Sequence, residues 1–131
     1  MNIKQREELS NVVRDMDKVI NQSEDLRISY NIITANGITE TQVIERAIEV
    51  FRIKLFNIQC EFSFNSEEHQ IISGVIETFE AVRQEKQDIY FYSVLDQNGE
   101  TRHATDRKGH LIGTLEWALD QIAGSIDVGV I

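Results

Sequence analysis

A chain of 131 residues can bury one hydrophobic core but not two independent ones, so residues 1–131 read as a single domain. Its 41% hydrophobic and 27% charged residues, with no low-complexity tract, exclude a disordered or fibrous polymer. Acidic residues number 22 against 13 basic ones, and the resulting formal charge of -9 excludes a nucleic-acid polymer as ligand, because that task needs a broad positive footprint along the phosphates.

Residues 2–22 set Leu9, Val12, Val13, Met16, Val19 and Ile20 at spacings of three and four between charges, the pattern of an amphipathic helix. RISYNIITA at 27–35 is rich in β-branched and aromatic residues and ends at Asn36-Gly37, so it reads as a strand and its turn. Two readings stand for the next segment. A helix capped by Thr39 and Gln42 would run to 52 with Val43, Ile44, Ala47, Ile48 and Phe51 on one face; a hairpin would instead use ITETQVI as a second strand, and the helix is favoured. From Phe56 the apolar residues Phe56, Ile58, Cys60, Phe62 and Phe64 alternate with polar ones, which predicts a half-buried strand.

Helical spacing returns over 67–86 through Ile72, Val75, Ile76, Phe79 and Val82. DIYFYSVLD and ETRHATD flank Asn98-Gly99 and predict a hairpin over 89–106. Lys108-Gly109 reads as a second turn, followed by a helix over 114–123 that Gly124 ends, and the apolar tail SIDVGVI reads as an edge strand. The sum is an α+β fold, an antiparallel β-sheet decorated with amphipathic α-helices. With no apolar run near the ~20 residues that cross a bilayer, no basic and apolar leader at MNIKQREELSN, and a lone Cys60 read as a small buried residue, the expectation is a cytoplasmic protein without membrane contact.

The stretch NGETRHATDRKGH, 98–110, gathers Arg102, His103, Arg107, Lys108 and His110 against Glu100 and Asp106. Arginine grips phosphate through paired hydrogen bonds, Thr101 and Thr105 add hydroxyls, and the turns offer backbone N–H groups. Tyr90 and Tyr92 share one face of the partner strand and Phe91 takes the other, while Phe79 lies on the preceding helix, so rings for base stacking stand near the cations. The plainer reading is that these cations offset Asp96 and Asp106 on a solvated hairpin. His103-Ala104-Thr105 matches the H-x-T element of phosphoesterases that use two such elements, yet His69 and His110 begin no second one. Metal spacing is missing too: the one D-x-D pair, Asp15 and Asp17, has no histidine near it, and neither a P-loop nor a G-x-S-x-G elbow occurs. The residues therefore read as a binder without catalysis, metal or cofactor.

RISYNIITANGITE together with YFYSVLDQNGETRHATDRKGHLIGTLEWAL resembles, over about residues 25–120, the phage-encoded Thoeris anti-defence proteins of the first type. The resemblance implies a sponge that holds the glycocyclic ADP-ribose signal of TIR-domain defence proteins uncleaved, with other cyclic nucleotides as further ligands, in the host bacterial cytoplasm during infection. It also implies a homo-oligomer whose pockets are bordered by more than one subunit. Carried over, the aromatic stack falls on Phe79 or Tyr92 and the phosphate contacts on Arg102 and Arg107, with His103, Thr105 and Asp106 as neighbours and Arg27 as a further candidate. Two other readings stand beside it. One is an acidic inhibitor or immunity-type protein that blocks a protein partner, suggested by the net charge and by the lack of any lysine or arginine after Lys108; the other is a phosphodiesterase built around His103.

Overall fold

Apolar residues three and four apart draw the four helices of the described residues together. The structure, a computed structural model, describes residues 1–28, 40–85, 87–126 and 128, without the side chains of residues 22–28 and 40. Its elements in chain order are α1 (Ile3–Ile28), α2 (Glu40–Gln59), α3 (Glu67–Gln84), β1 (Ile89–Asp96), β2 (Gly99–Asp106) and α4 (Arg107–Ser125). One buried cluster takes Leu9, Val12, Val13 and Met16 from α1, Ile44, Ile48, Phe51, Leu55 and Ile58 from α2, Ile72, Val75, Ile76, Phe79 and Val82 from α3, and Leu111, Leu115, Ala118 and Ile122 from α4. Each such side chain contributes roughly 1.5–3 kcal/mol on burial, so packing of these stripes, more than helix propensity, holds the helices. The fold is α+β as expected, with the core among the helices and the described sheet reduced to the two antiparallel strands β1 and β2.

Several local expectations change. The helix reading wins over the hairpin from Glu40 onward, and α2 continues through the predicted strand at 56–64 as far as Gln59. The reason is that Leu55 and Ile58 prolong the stripe begun at Ile44, Ile48 and Phe51, while Phe56 and Phe64 point to solvent. Turns through Cys60, Glu61 and Phe62 then lead to Ser66, and Cys60 is exposed instead of buried. Ser66 starts α3 as its N-cap, accepting from the His69 N–H at 3.2 Å with Glu67 and Glu68 in the first turn. At the other boundary, Arg27 and Ile28 form the end of α1 and not the start of a strand. The rest of that predicted strand, the Asn36-Gly37 turn and the Thr39 cap lie outside the described residues.

The hairpin forms as read. Asp96 pairs with Gly99, which sits at φ +104°, a conformation that glycine adopts without a Cβ penalty. Asp96 braces the turn by accepting from the Asn98 N–H at 2.8 Å and the Thr101 hydroxyl at 2.7 Å, and the Thr101 and Asn98 bonds hold its carboxyl below the usual carboxylate range. At the far end Lys108-Gly109 makes no separate turn. Asp106 is instead the N-cap of α4, its Oδ1 accepting from the Gly109 N–H at 2.8 Å, so the helix begins at Arg107 directly after β2. Gly124 lies within α4, and the described tail residues Ile126 and Val128 are buried on the helices outside any strand, with the Ser10 hydroxyl donating to the Val128 carbonyl.

Thr105 and Gly109 explain how closely β2 meets α4: a Cβ at position 109 would overlap the Thr105 hydroxyl, whereas one at Gly74 in α3 would meet nothing. Gly109→Ala should therefore destabilise the protein by about 1–3 kcal/mol. Gly74→Ala should stabilise it by about 0.5–1 kcal/mol through helix propensity. Urea unfolding of both variants checks the pair, and an equal response would remove the close approach as the cause.

Candidate functional site

The base of the hairpin is fastened by a single guanidinium. Arg107, the first residue of α4, is 13% exposed at its side chain and donates from Nε to Glu45 Oε1 at 3.2 Å, from Nη1 to the Tyr90 hydroxyl at 2.7 Å and from Nη2 to the Val82 carbonyl at 3.0 Å. Burial works hardest on its pKa and lowers it, but the Tyr90 and Glu45 bonds together outweigh burial and raise the pKa above the usual arginine range. Tyr90, the buried residue of β1, also stacks on His110 with centroids 3.9 Å apart and planes at 4°, and His110 Nε2 lies 3.0 Å from Glu85 Oε2. These contacts join α2, the end of α3, β1 and α4 in one polar knot.

Strand alternation then divides the residues expected to share one site. Tyr92, His103 and Thr105 lie on the inner face of the hairpin with Tyr90, and the Tyr92 and His103 rings stack at 5.6 Å. Arg102 lies on the outer face, its guanidinium 4.5 Å from the centre of the Phe91 ring. Phe79 has no exposed surface and packs in the core, so it is closed to a ligand. Arg107 is the structural tie just described and Asp106 is a helix cap; neither stands free to grip a phosphate. The side chain of Arg27 lies outside the described residues.

Between the inner face of the hairpin and α4 runs a groove of about 490 Å³, lined by the rings of Tyr92, His110 and Trp117 with the hydroxyl-bearing Thr78, Thr105 and Thr114 and the carboxylate of Glu116. Gly109 and Gly113 line it as well; Gly109 lies against the Thr105 hydroxyl, whereas a Cβ at Gly113 would meet nothing. His110, Thr114 and Trp117 were not picked out from sequence as site residues. The available signal was the run Gly109, Gly113, Trp117 at four-residue spacing, a small, small, aromatic stripe on one helix face. The groove offers aromatic faces and hydroxyl oxygens, those of Thr78 and Thr114 donating to the Gly74 and His110 carbonyls and so open only as acceptors, which suits a planar ligand that carries N–H or O–H donors. Among the described residues no group of three histidine, cysteine or acidic side chains is placed to hold a metal ion, and no helix is long and apolar enough to cross a membrane.

No protein-family model, no curated protein and no solved structure matches the chain. The groove is therefore read from its own chemistry.

Removing the central tie should unfasten the hairpin. Arg107→Met takes the donor from Glu45 and one of two donors from the Tyr90 hydroxyl and the Val82 carbonyl, which still accept from the Gln87 and Glu85 N–H groups, and should cost about 2–3 kcal/mol, while Tyr90→Phe, which deletes the hydroxyl alone, should cost about 1–2 kcal/mol. Denaturant midpoints for the two variants and wild type test the order; an Arg107→Met protein as stable as wild type would show that the knot carries no stability.

Proposed function

We propose that the protein binds a cyclic nucleotide signal of the glycocyclic ADP-ribose class and holds it uncleaved, so that a defence effector which depends on that signal is not activated. The observation that carries this reading is the groove in which Tyr92, His110 and Trp117 converge with three threonine hydroxyls beside the first turn of α4. An adenine stacked on such rings gains about 1–3 kcal/mol. The likeness of residues 25–120 to the Thoeris anti-defence proteins supports the same class of ligand. Holding requires affinity alone, and nothing in this reading calls for an activated nucleophile: His110 is taken up by Tyr90 and Glu85.

Calorimetry with glycocyclic ADP-ribose should show binding, with Tyr92→Ala and Trp117→Ala each weakening it about tenfold or more and the ligand recovered intact after heat denaturation. Arg102→Ala should leave affinity near wild type because that side chain faces away. Absence of binding, or recovery of a cleaved product, would sink the proposal.

A second reading rests on a different observation. The outer face of the hairpin shows Ile89, Phe91 and Leu95 at 56%, 60% and 85% exposure, an apolar patch with Arg102 among it that is unusual on a solvated strand pair. Such a face suits association of two copies, and equally the inhibitor function in which an acidic protein docks on another protein. Light scattering should give a mass above the monomer for wild type and the monomer for Phe91→Glu combined with Leu95→Glu. A monomeric wild type would reserve the face for a foreign partner, and capture of that partner would then have to fail in the double variant.

A further inference from the structure

The molecule has a second groove, of about 310 Å³, between α2, the end of α3 and the start of α4, and it shares no lining residue with the aromatic one. Ile48, Val82 and Leu111 give it an apolar floor, and three arginines, Arg46, Arg83 and Arg107, stand around it with Glu45 and Glu49. In a chain of charge -9 three guanidiniums about one concavity are a local reversal of sign.

The deciding question is which of these charges are already committed. Glu45 accepts from Arg107 Nε, and the Val82 carbonyl, which would repel an anion, accepts from Arg107 Nη2. Glu49 is committed to Arg52, accepting at 2.7 Å on Oε1 and 3.1 Å on Oε2; the Arg52 bond holds its pKa below the usual carboxylate range. Two cations remain. Arg46 is exposed and makes no ion pair or hydrogen bond to the described residues, and Arg83, with 64% of its side chain exposed, has one ion pair, 3.4 Å to the same Glu49 Oε2 that Arg52 already uses. A guanidinium sharing a carboxylate oxygen with a closer partner keeps most of its donors for another acceptor.

We propose that Arg46 and Arg83 clamp a small oxyanion in this groove, either orthophosphate or the phosphate of a phosphomonoester whose organic part lies on the apolar floor. The volume is at the small end of ligand pockets, which run from about 300 to 1,000 Å³, and fits a molecule of that size better than a dinucleotide. Planar, permanently charged guanidiniums match a tetrahedral oxyanion through paired hydrogen bonds, and the acidic surface elsewhere disfavours anions, so selectivity comes from the local field. The site does not depend on the proposal for the aromatic groove.

Phosphorus NMR titration of the full chain at low ionic strength, with orthophosphate in one arm and glycerol phosphate in the other, tests this. Wild type should bind at least one of them, and Arg46→Gln and Arg83→Gln should each weaken binding about tenfold, at unchanged circular dichroism. Arg14→Gln removes an exposed α1 cation whose bond is to Asn11 at 3.4 Å and should leave affinity as it was. Stronger binding in the glycerol phosphate arm would assign the floor to an organic group; equal binding would assign the site to the free anion. No binding in either arm, full affinity in the Arg46→Gln, Arg83→Gln double variant, or an equal loss in Arg14→Gln would overturn the proposal.

Discussion

A two-stranded hairpin has too little surface to bury on its own and needs something to hold it, and here the Arg107 guanidinium does most of that work. Its three described donors reach a carboxylate on α2, a carbonyl near the end of α3 and a phenol on β1, while its own backbone starts α4. Two further hairpin contacts with α4 lie beside this point: Tyr90 stacks on His110, and Thr105 closes on Gly109. A neutral side chain could fill the space but would leave the half-buried Glu45 carboxylate without its donor and take one of two donors from the Tyr90 hydroxyl and the Val82 carbonyl, and a lost charge-assisted bond costs more than a neutral one. The base of the hairpin is tied to the helices, while its turn is held by the strand ladder and the local bonds of Asp96, so order should fall from base to tip.

The same accounting resolves the basic island at 98–110. Its charge looked like a ligand grip because arginines in an acidic chain invite that reading, yet most of the island is absorbed by architecture. Asp106 caps a helix, Arg107 ties elements together, His110 carries a stacked ring and a carboxylate, and Arg102 lies over Phe91 on the outer face. The plainer view had the cations offset Asp96 and Asp106, but those carboxylates accept instead from the N–H and hydroxyl groups of their own turn and cap. The less committed arginines turn out to be on α2 and α3, where their regular spacing makes them look like an ordinary solvated helix face.

How much of this was legible in the residues depended on whether one period or one local signal dominated. The hairpin was readable because Asn98-Gly99 lies between two β-prone runs, and α3 because Ile72, Val75, Ile76, Phe79 and Val82 allow no other period. The alternation from Phe56 to Phe64 misled because Ile58 belongs to two patterns at once, and only the longer stripe from Ile44 decides between them. At Lys108-Gly109 a turn dipeptide concealed a cap: Asp106 with an N–H three residues on is a helix start, and glycine there serves the contact with Thr105, not a change of chain direction. The candidate site was half legible. Tyr92, His103 and Thr105 fall on one face by simple alternation, but alternation equally sends Arg102 to the opposite face, and whether Phe79 meets solvent or core depends on α2 and α4 packing against α3.

The aromatic groove has one wall on the hairpin, through Tyr92 and Thr105, and one on α4, through His110, Thr114 and Trp117. A planar ligand lying between Tyr92 and Trp117 would supply contacts that the empty hairpin lacks, so in the proposed function binding and hairpin order are linked: whatever binds the ordered form stabilises it by mass action. The linkage also sets a condition on affinity. A hairpin left loose would have to be ordered by the ligand, at a cost to binding, whereas a base already fixed by Arg107 leaves only the outer residues to settle. In the proposed function the tie at the base and the groove above it act together: the partly buried charge at Arg107 would set how much of the hairpin a ligand has to order, and with it the affinity.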